Sequence, residues 1–159
     1  MTWEDLPDSA RLWIYTADRQ LTDAEVADAQ AALSTFVKQW TAHRRDLRAY
    51  GDIVNGRFVR LAVDESATGA SGCSIDASVH FLQDLGRRLG VDFFERMTFF
   101  ADNGEGFLPY PRDEFAAAYA RGEIGDKSPV VDTLVDTKVK YESGFVKPLG
   151  QSWHARMTA

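Results

Sequence analysis

Residues 47–64 read LRAYGDIVNGRFVRLAVD, and the dipeptide near their centre decides the fold. Asn55-Gly56 is the strongest two-residue hairpin signal, because a type I′ turn needs positive φ at both central positions. Beyond it Val59, Leu61 and Val63 alternate with Arg60, Ala62 and Asp64, the period of a strand with one buried face. The stretch therefore reads as a hairpin of two strands, Leu47–Val54 and Arg57–Asp64.

Toward the N-terminus, Thr22-Asp23-Ala24-Glu25 is a capping box, in which Thr22 accepts from the N3 amide and Glu25 reaches back to the Thr22 amide. Val26, Ala29, Leu33, Phe36, Val37 and Trp40 follow at helical spacing, which predicts a helix over Asp23–Ala42. Leu12–Ala17 (LWIYTA), before it, reads as a strand. Past the hairpin, 65–72 is small and polar, a loop. A second helix is expected from about Ile75 to Leu89, with Ile75, Val79, Leu82, Gly86 and Leu89 on one face and Gly90 as its stop. Glu95–Ala101 reads as a fourth strand. The order β-α-β-β-α-β predicts an α+β fold of ferredoxin-like topology, an antiparallel sheet with two helices on one face, followed by a C-terminal extension. We expect the two helices to run parallel, which places His43 at the end of the first and Cys73 at the start of the second at opposite ends of the layer.

In the extension, Asp102–Pro111 reads as a Gly/Pro-rich loop carrying Phe107 and Tyr110, and Arg112–Arg121 as a helix stopped by Gly122. Val130–Tyr141 supports two readings: a continuous strand, or a strand to Val135 followed by a helical turn capped by Thr137. The tail, Phe145–Ala159, carries Trp153 and His154.

The chain has 159 residues, 45% hydrophobic and 12% aromatic, enough core material for one domain spanning 1–159. Its net charge is −6, and no basic stripe interrupts that balance; His43-Arg44-Arg45, the longest basic cluster, is followed at once by Asp46. A nucleic-acid partner, which needs clustered cations to replace counterions, is not expected. A single cysteine forms no intrachain disulfide, the first residues lack an apolar signal region, and no run approaches the ~20 apolar residues of a membrane span. The expectation is a cytoplasmic protein without a membrane partner.

The candidate site is Gly69–Asp76, GASGCSID. Cys73 stands where a helix begins, and there free amides and the dipole favour an anion, a thiolate included. The competing reading is a small thiol packed in a turn. Gly72, Cys73 and Ser74 offer a nest of amides for a small anion, with Asp64, Glu65 and Asp76 opposing a highly charged one; the alternative is ordinary helix capping by Ser74. The loop carries neither a Walker lysine nor Gly-x-Gly-x-x-Gly, and Cys73 lacks the Cys-x5-Arg of a phosphatase loop. Three histidines and one cysteine, without paired spacing, predict no metal site and no cofactor. Phe107, Tyr110 and Trp153, in loop or tail, are candidate contact residues or, on the plainer reading, pins that hold those segments to the core.

Trp13-Ile14-Tyr15, Phe36–His43 (FVKQWTAH), Gly72–Asp76 (GCSID) and Ser152-Trp153-His154 together resemble a small family of bacterial cytoplasmic proteins, some of whose members are labelled ABC transporter ATPases. The chain has neither the Walker A loop nor the signature motif that such a label requires, so the resemblance implies no catalytic role for any residue. Two functions follow as expectations. One is a small-ligand or protein-binding accessory module, taking a small anion or a protein partner through Gly72, Cys73, Ser74 and Asp76. The other is a thiol-dependent or redox-responsive protein, with Cys73 as nucleophile, the Ser74 and Ile75 amides as oxyanion donors and His154 as base. A homodimer through a sheet face or the tail is also compatible with the composition.

Overall fold

The computed structural model describes residues 1–159. It is an α+β protein with four helices and antiparallel sheets, and no helix is long and apolar enough to cross a membrane. The chain forms two compact units: Met1–Glu95 with Val135–Tyr141, and Arg96–Leu134 with Glu142–Ala159.

The first unit is built on β1 (Arg11–Thr16), β4 (Arg48–Val54) and β5 (Phe58–Asp64), all antiparallel, in the order β1-β5-β4. The hairpin turn is as its residues dictate: Asn55 has φ 56° and Gly56 φ 62°. Every residue of β5 is buried, because the central strand is covered on both faces. On one face Val59, Leu61 and Val63 meet Ala29 and Leu33 of α1 (Asp23–Gln39) and Leu82 and Leu85 of α2 (Gly72–Leu89). On the other, the Arg60 guanidinium lies 3.8 Å from the Trp3 ring centroid and 4.8 Å from that of Tyr141, and is paired with Asp52. The N-terminal segment is tied down there by Lys138, whose Nζ donates to the Leu6 carbonyl at 2.7 Å.

The capping box of α1 forms as expected, and Arg19 joins it: its guanidinium holds Glu25, whose pKa falls to about 2 through that pair and the Thr22 amide. The helix stops at Gln39 rather than Ala42, because Trp40 turns extended and β2 (Thr41–Ala42) pairs with β3 (Arg45–Asp46) in a small second hairpin. The α2 helix starts at Gly72, three residues before the expected Ile75, because Ser71 and Ser74 form a reciprocal capping box that the Ile75 periodicity does not reveal. It ends in Gly90, left-handed as expected, and Gly86 is required where the chain turns back: a Cβ there would lie 2.4 Å from the Val91 carbonyl oxygen.

The expected helix direction is wrong. Since β1 and β5 are antiparallel, and α1 runs back along β1 as α2 runs back along β5, the helices are antiparallel to each other. The end of α1 therefore adjoins the start of α2, where the Trp40 indole N–H donates to the Ser74 carbonyl; at the other end Arg88 pairs with Asp28.

The second unit holds β6 (Thr98–Asp102), β7 (Phe107–Pro111), β8 (Pro129–Val131) and β9 (Val146–Pro148), in the order β7-β6-β8-β9. The strand expected to complete the first sheet is thus β6 of this one. The segment read as a loop, Phe107–Pro111, returns as its hairpin partner, with Pro109 and Pro111 accommodated because β7 is a sheet edge. Helix α3 (Arg112–Ala120) packs Phe115 and Ala118 against Phe99, Tyr110 and Val130. Val130–Tyr141 follows the second of its two readings in its helical part only: Thr137 caps α4 (Lys138–Gly144) by accepting from the Lys140 amide, but β8 ends at Val131 rather than Val135.

Candidate functional site

The first turn of α2 is assembled from two serines. The Ser71 hydroxyl accepts from the Ser74 amide at 3.1 Å, and Ser74 Oγ accepts from the Ser71 amide at 3.1 Å. Ser74 Oγ also donates to the Thr41 carbonyl at 2.7 Å, so the Ser71 hydroxyl proton is the one shared across the 2.8 Å contact between the two oxygens. With the indole of Trp40 on the Ser74 carbonyl at 2.8 Å, Ser74 is bonded in both directions to the segment that leaves α1. Two of the stretches quoted above, FVKQWTAH and GCSID, meet at this residue. Ser74 is accordingly 2% exposed.

This cap decides which amides remain available. Ser74 N–H is taken by Ser71 Oγ and Ile75 N–H by the Ser71 carbonyl, so the expected oxyanion pair is already engaged. The expected nest of three amides reduces to Gly72 and Cys73, the first two helical positions, both exposed. The packed-thiol reading of Cys73 is corrected as well: the thiol is exposed. Open space surrounds Gly72, with nothing within 4 Å of a Cβ built there. Asp76 is exposed one turn further along α2. The other two acids near this end are committed elsewhere: Asp64 to Arg48 and the Ser66 amide, Glu65 to the Ala70 amide at 2.9 Å. The Ser66 hydrogen bonds hold the Asp64 carboxyl below its usual range.

The hairpin bonded to Ser74 carries a feature that the residue pattern does not predict. The tip of the β2–β3 hairpin is His43-Arg44, with φ 51° and 65°, two successive non-glycine residues in the left-handed region. Each such residue costs ~1–2 kcal/mol. His43, Arg44 and Arg45 are all exposed, and the Ser74–Thr41 bond anchors the hairpin to the start of α2. A basic turn on a hairpin bonded to the start of α2, whose first two amides are not taken by the cap, is an arrangement suited to an anion. Neither residue type signals a type I′ turn, so only the basic cluster itself was visible beforehand.

The remaining candidates lie in the second unit. Phe107 is exposed at the start of β7. Tyr110 is buried, its hydroxyl donating to Glu123 at 2.7 Å; burial and then that bond push its pKa up to about 12. Trp153 donates through its indole N–H to Asp132 at 2.8 Å and stacks on His154, ring centroids 3.7 Å apart. Asp132 is a hub, accepting also from Lys147 Nζ at 2.6 Å and the Leu134 amide at 2.9 Å. Burial opposes its charge, but these bonds prevail and hold its pKa below the usual carboxylate value. His154, 1% exposed, shares a 2.7 Å hydrogen bond with the Ser152 hydroxyl through Nδ1, and burial pushes its pKa down to about 4. The structure thus gives His154 and Cys73, the proposed base and nucleophile, to different units, and engages the histidine in its own network. A neutral imidazole with so low a pKa is a weak base.

No group of three or more His, Cys, Asp or Glu side chains is disposed to hold a metal ion. No family model, no curated protein and no solved structure matches the chain.

Proposed function

We propose that the chain is a binding or accessory module whose contact surface is the first turn of α2 together with the His43-Arg44 turn, and that the group it takes is a small anion. The observation that carries this reading is the Ser74–Thr41 bond, which ties the hairpin bearing an exposed, strained basic turn to the helix end where Gly72 and Cys73 are exposed. Strain retained at one surface point is a device found at ligand clamps. Asp64 is paired with Arg48 of β4 and Glu65 accepts from the Ala70 amide, which supports a singly or doubly charged ligand at this end. The test is an amide NMR titration with inorganic phosphate. We expect saturable shifts at Gly72 and Cys73 that Arg44→Glu abolishes while the spectrum elsewhere stays in place. Linear, unsaturated drift at those two amides refutes the site.

The exposure of Cys73 favours a second reading, a redox-responsive protein that uses this thiol. Alkylation of Cys73 in the native state, measured against a free thiol at the same pH, tests it; a rate no faster than the free thiol removes it.

We also read the first unit as a ferredoxin-like variant. Its strand order β1-β5-β4 and the two helices on one face support this, while the outer edge of β1 carries only single bridges to Phe94 and Thr137.

A further inference from the structure

The chain holds two Asn-Gly pairs, Asn55-Gly56 in the first unit and Asn103-Gly104 in the second. In such a pair the glycine nitrogen can attack Cγ of the asparagine side chain, because no Cβ on the glycine hinders the approach. We propose that Asn55, and not Asn103, is a site of spontaneous covalent modification in the folded protein, converting to aspartate and isoaspartate through a cyclic imide.

The step balances with water alone. Hydroxide takes the Gly56 amide proton and the nitrogen forms a bond to Asn55 Cγ. The Cγ–Nδ2 bond breaks, and Nδ2 takes a proton from water and leaves as ammonia. A second water opens the five-membered imide at either carbonyl. One opening leaves aspartate in the normal chain, which keeps the hairpin because Asp-Gly also suits a type I′ turn. The other routes the chain through Cβ as isoaspartate and lengthens the turn.

The bonding of the reacting atoms separates the two pairs. At Asn55 both are open: the side chain is exposed, and neither it nor the Gly56 N–H is engaged in a hydrogen bond. At Asn103 both are held. The Gly104 N–H donates to Asp102 Oδ1 at 2.8 Å, and Asn103 Oδ1 accepts from the Glu105 amide at 3.0 Å. Charge acts in the same sense. The attacking nitrogen is anionic, and a neighbouring like charge disfavours it. Asp102 and Glu105 flank the second pair, whereas Val54 and Arg57 flank the first.

One contact restrains Asn55. The Gly56 nitrogen shares a peptide plane with the Asn55 carbonyl. Ring closure needs that nitrogen eclipsed with the Asn55 Cβ, and the left-handed conformation of Asn55 turns it away, so the plane must rotate about Cα–C. The Asn55 carbonyl accepts from Gln20 Nε2 at 2.7 Å, and this bond must break first. Gln20 therefore gates the reaction.

The full chain, incubated in mildly alkaline buffer and then digested with trypsin, tests this by mass spectrometry of fragments 49–57 and 97–112. A peptidase that cuts before aspartate but not isoaspartate sorts the products. We expect fragment 49–57 to gain about 1 Da as two species, and fragment 97–112 to lag at least about tenfold, since two hydrogen bonds must be lost there. Gln20→Ala, at an exposed position, should speed the conversion of fragment 49–57 about fivefold, the worth of one neutral hydrogen bond. Circular dichroism confirms that this variant is folded. In urea the lag should shrink, because the bonds at Asn103 are then gone. A folded chain in which fragment 97–112 converts as fast or faster, or in which neither converts, overturns the proposal, as does a rate indifferent to Gln20→Ala.

Discussion

Lowering the pH from 7 to 5 should destabilise the fold around His154 by about 2 kcal/mol. In the folded protein the imidazole is buried against Phe99 and Phe115 and stacked on Trp153, and its pKa is about 4, against 6.5 for the free side chain. Burial is the main cause; Asp132 favours the proton and Lys147 opposes it. The unfolded chain therefore takes up a proton on His154 below pH 6.5 while the folded chain does not. Stability is full above pH 6.5 and falls as pH drops toward 4, in the direction linkage requires when the unfolded state binds more protons. A difference of roughly 2.5 pH units at 1.36 kcal/mol each caps the loss at about 3 kcal/mol, of which about 2 kcal/mol is reached by pH 5.

Asp132 does not blur this window. Its pKa is lowered below the ordinary 3.8, so the stability it lends is present above that value and disappears only in stronger acid. Urea unfolding of the wild type and of His154→Gln at pH 7 and pH 5 supplies the measurement. The glutamine variant will be less stable at both values for packing reasons, so the informative quantity is the change between them. We expect the wild type to lose about 2 kcal/mol more than the variant. Equal losses in the two proteins would show that His154 is solvated or charged in the native state, and the account of its burial would fail.

Further outcomes follow from other contacts. Replacing His43-Arg44 by Asn-Gly should raise stability by about 1 kcal/mol or more, since both residues hold positive φ; a loss would mean that the turn is not strained. Ser74→Ala and Trp40→Phe should each cost about 1–2 kcal/mol in urea unfolding, and the double variant should fall short of their sum, because both act on one junction. Asp52→Ala leaves the guanidinium of Arg60, a residue 8% exposed, without its carboxylate and should cost about 3–5 kcal/mol; Asp52→Ala with Arg60→Met should recover much of this.

What the sequence made legible was local. Asn55-Gly56, the Thr22–Glu25 box and Gly90 each impose a backbone conformation through their own chemistry, and each forms where expected. The start of α2 was misplaced because the apolar stripe begins at Ile75, whereas the cap is polar and lies upstream. The pairing of β6 was misjudged because Phe107–Pro111 contains two prolines and follows a Gly-rich turn, which reads as loop unless its neighbour is known to leave it on an edge. Partners of this kind are set by burial over long sequence separations, to which composition is blind.

Chain direction carried the largest consequence for the site. An antiparallel pairing of β1 with β5 forces α1 and α2 to run in opposite senses, so the C-terminal end of α1 must arrive beside the N-terminal end of α2. Any protein of this topology therefore brings the residues leaving its first helix to the amides opening its second. Here the junction is used twice. Trp40 and Thr41 bind Ser74 and make it rigid, and the chain then has only His43 and Arg44 with which to reverse before Arg45 pairs back with Ala42. A two-residue reversal takes positive φ at its first position at least, and here both His43 and Arg44 adopt it. The strain is thus the cost of projecting His43 and Arg44 from a hairpin bonded to the start of α2, and a glycine in either place would relieve its share while removing a charge or an imidazole.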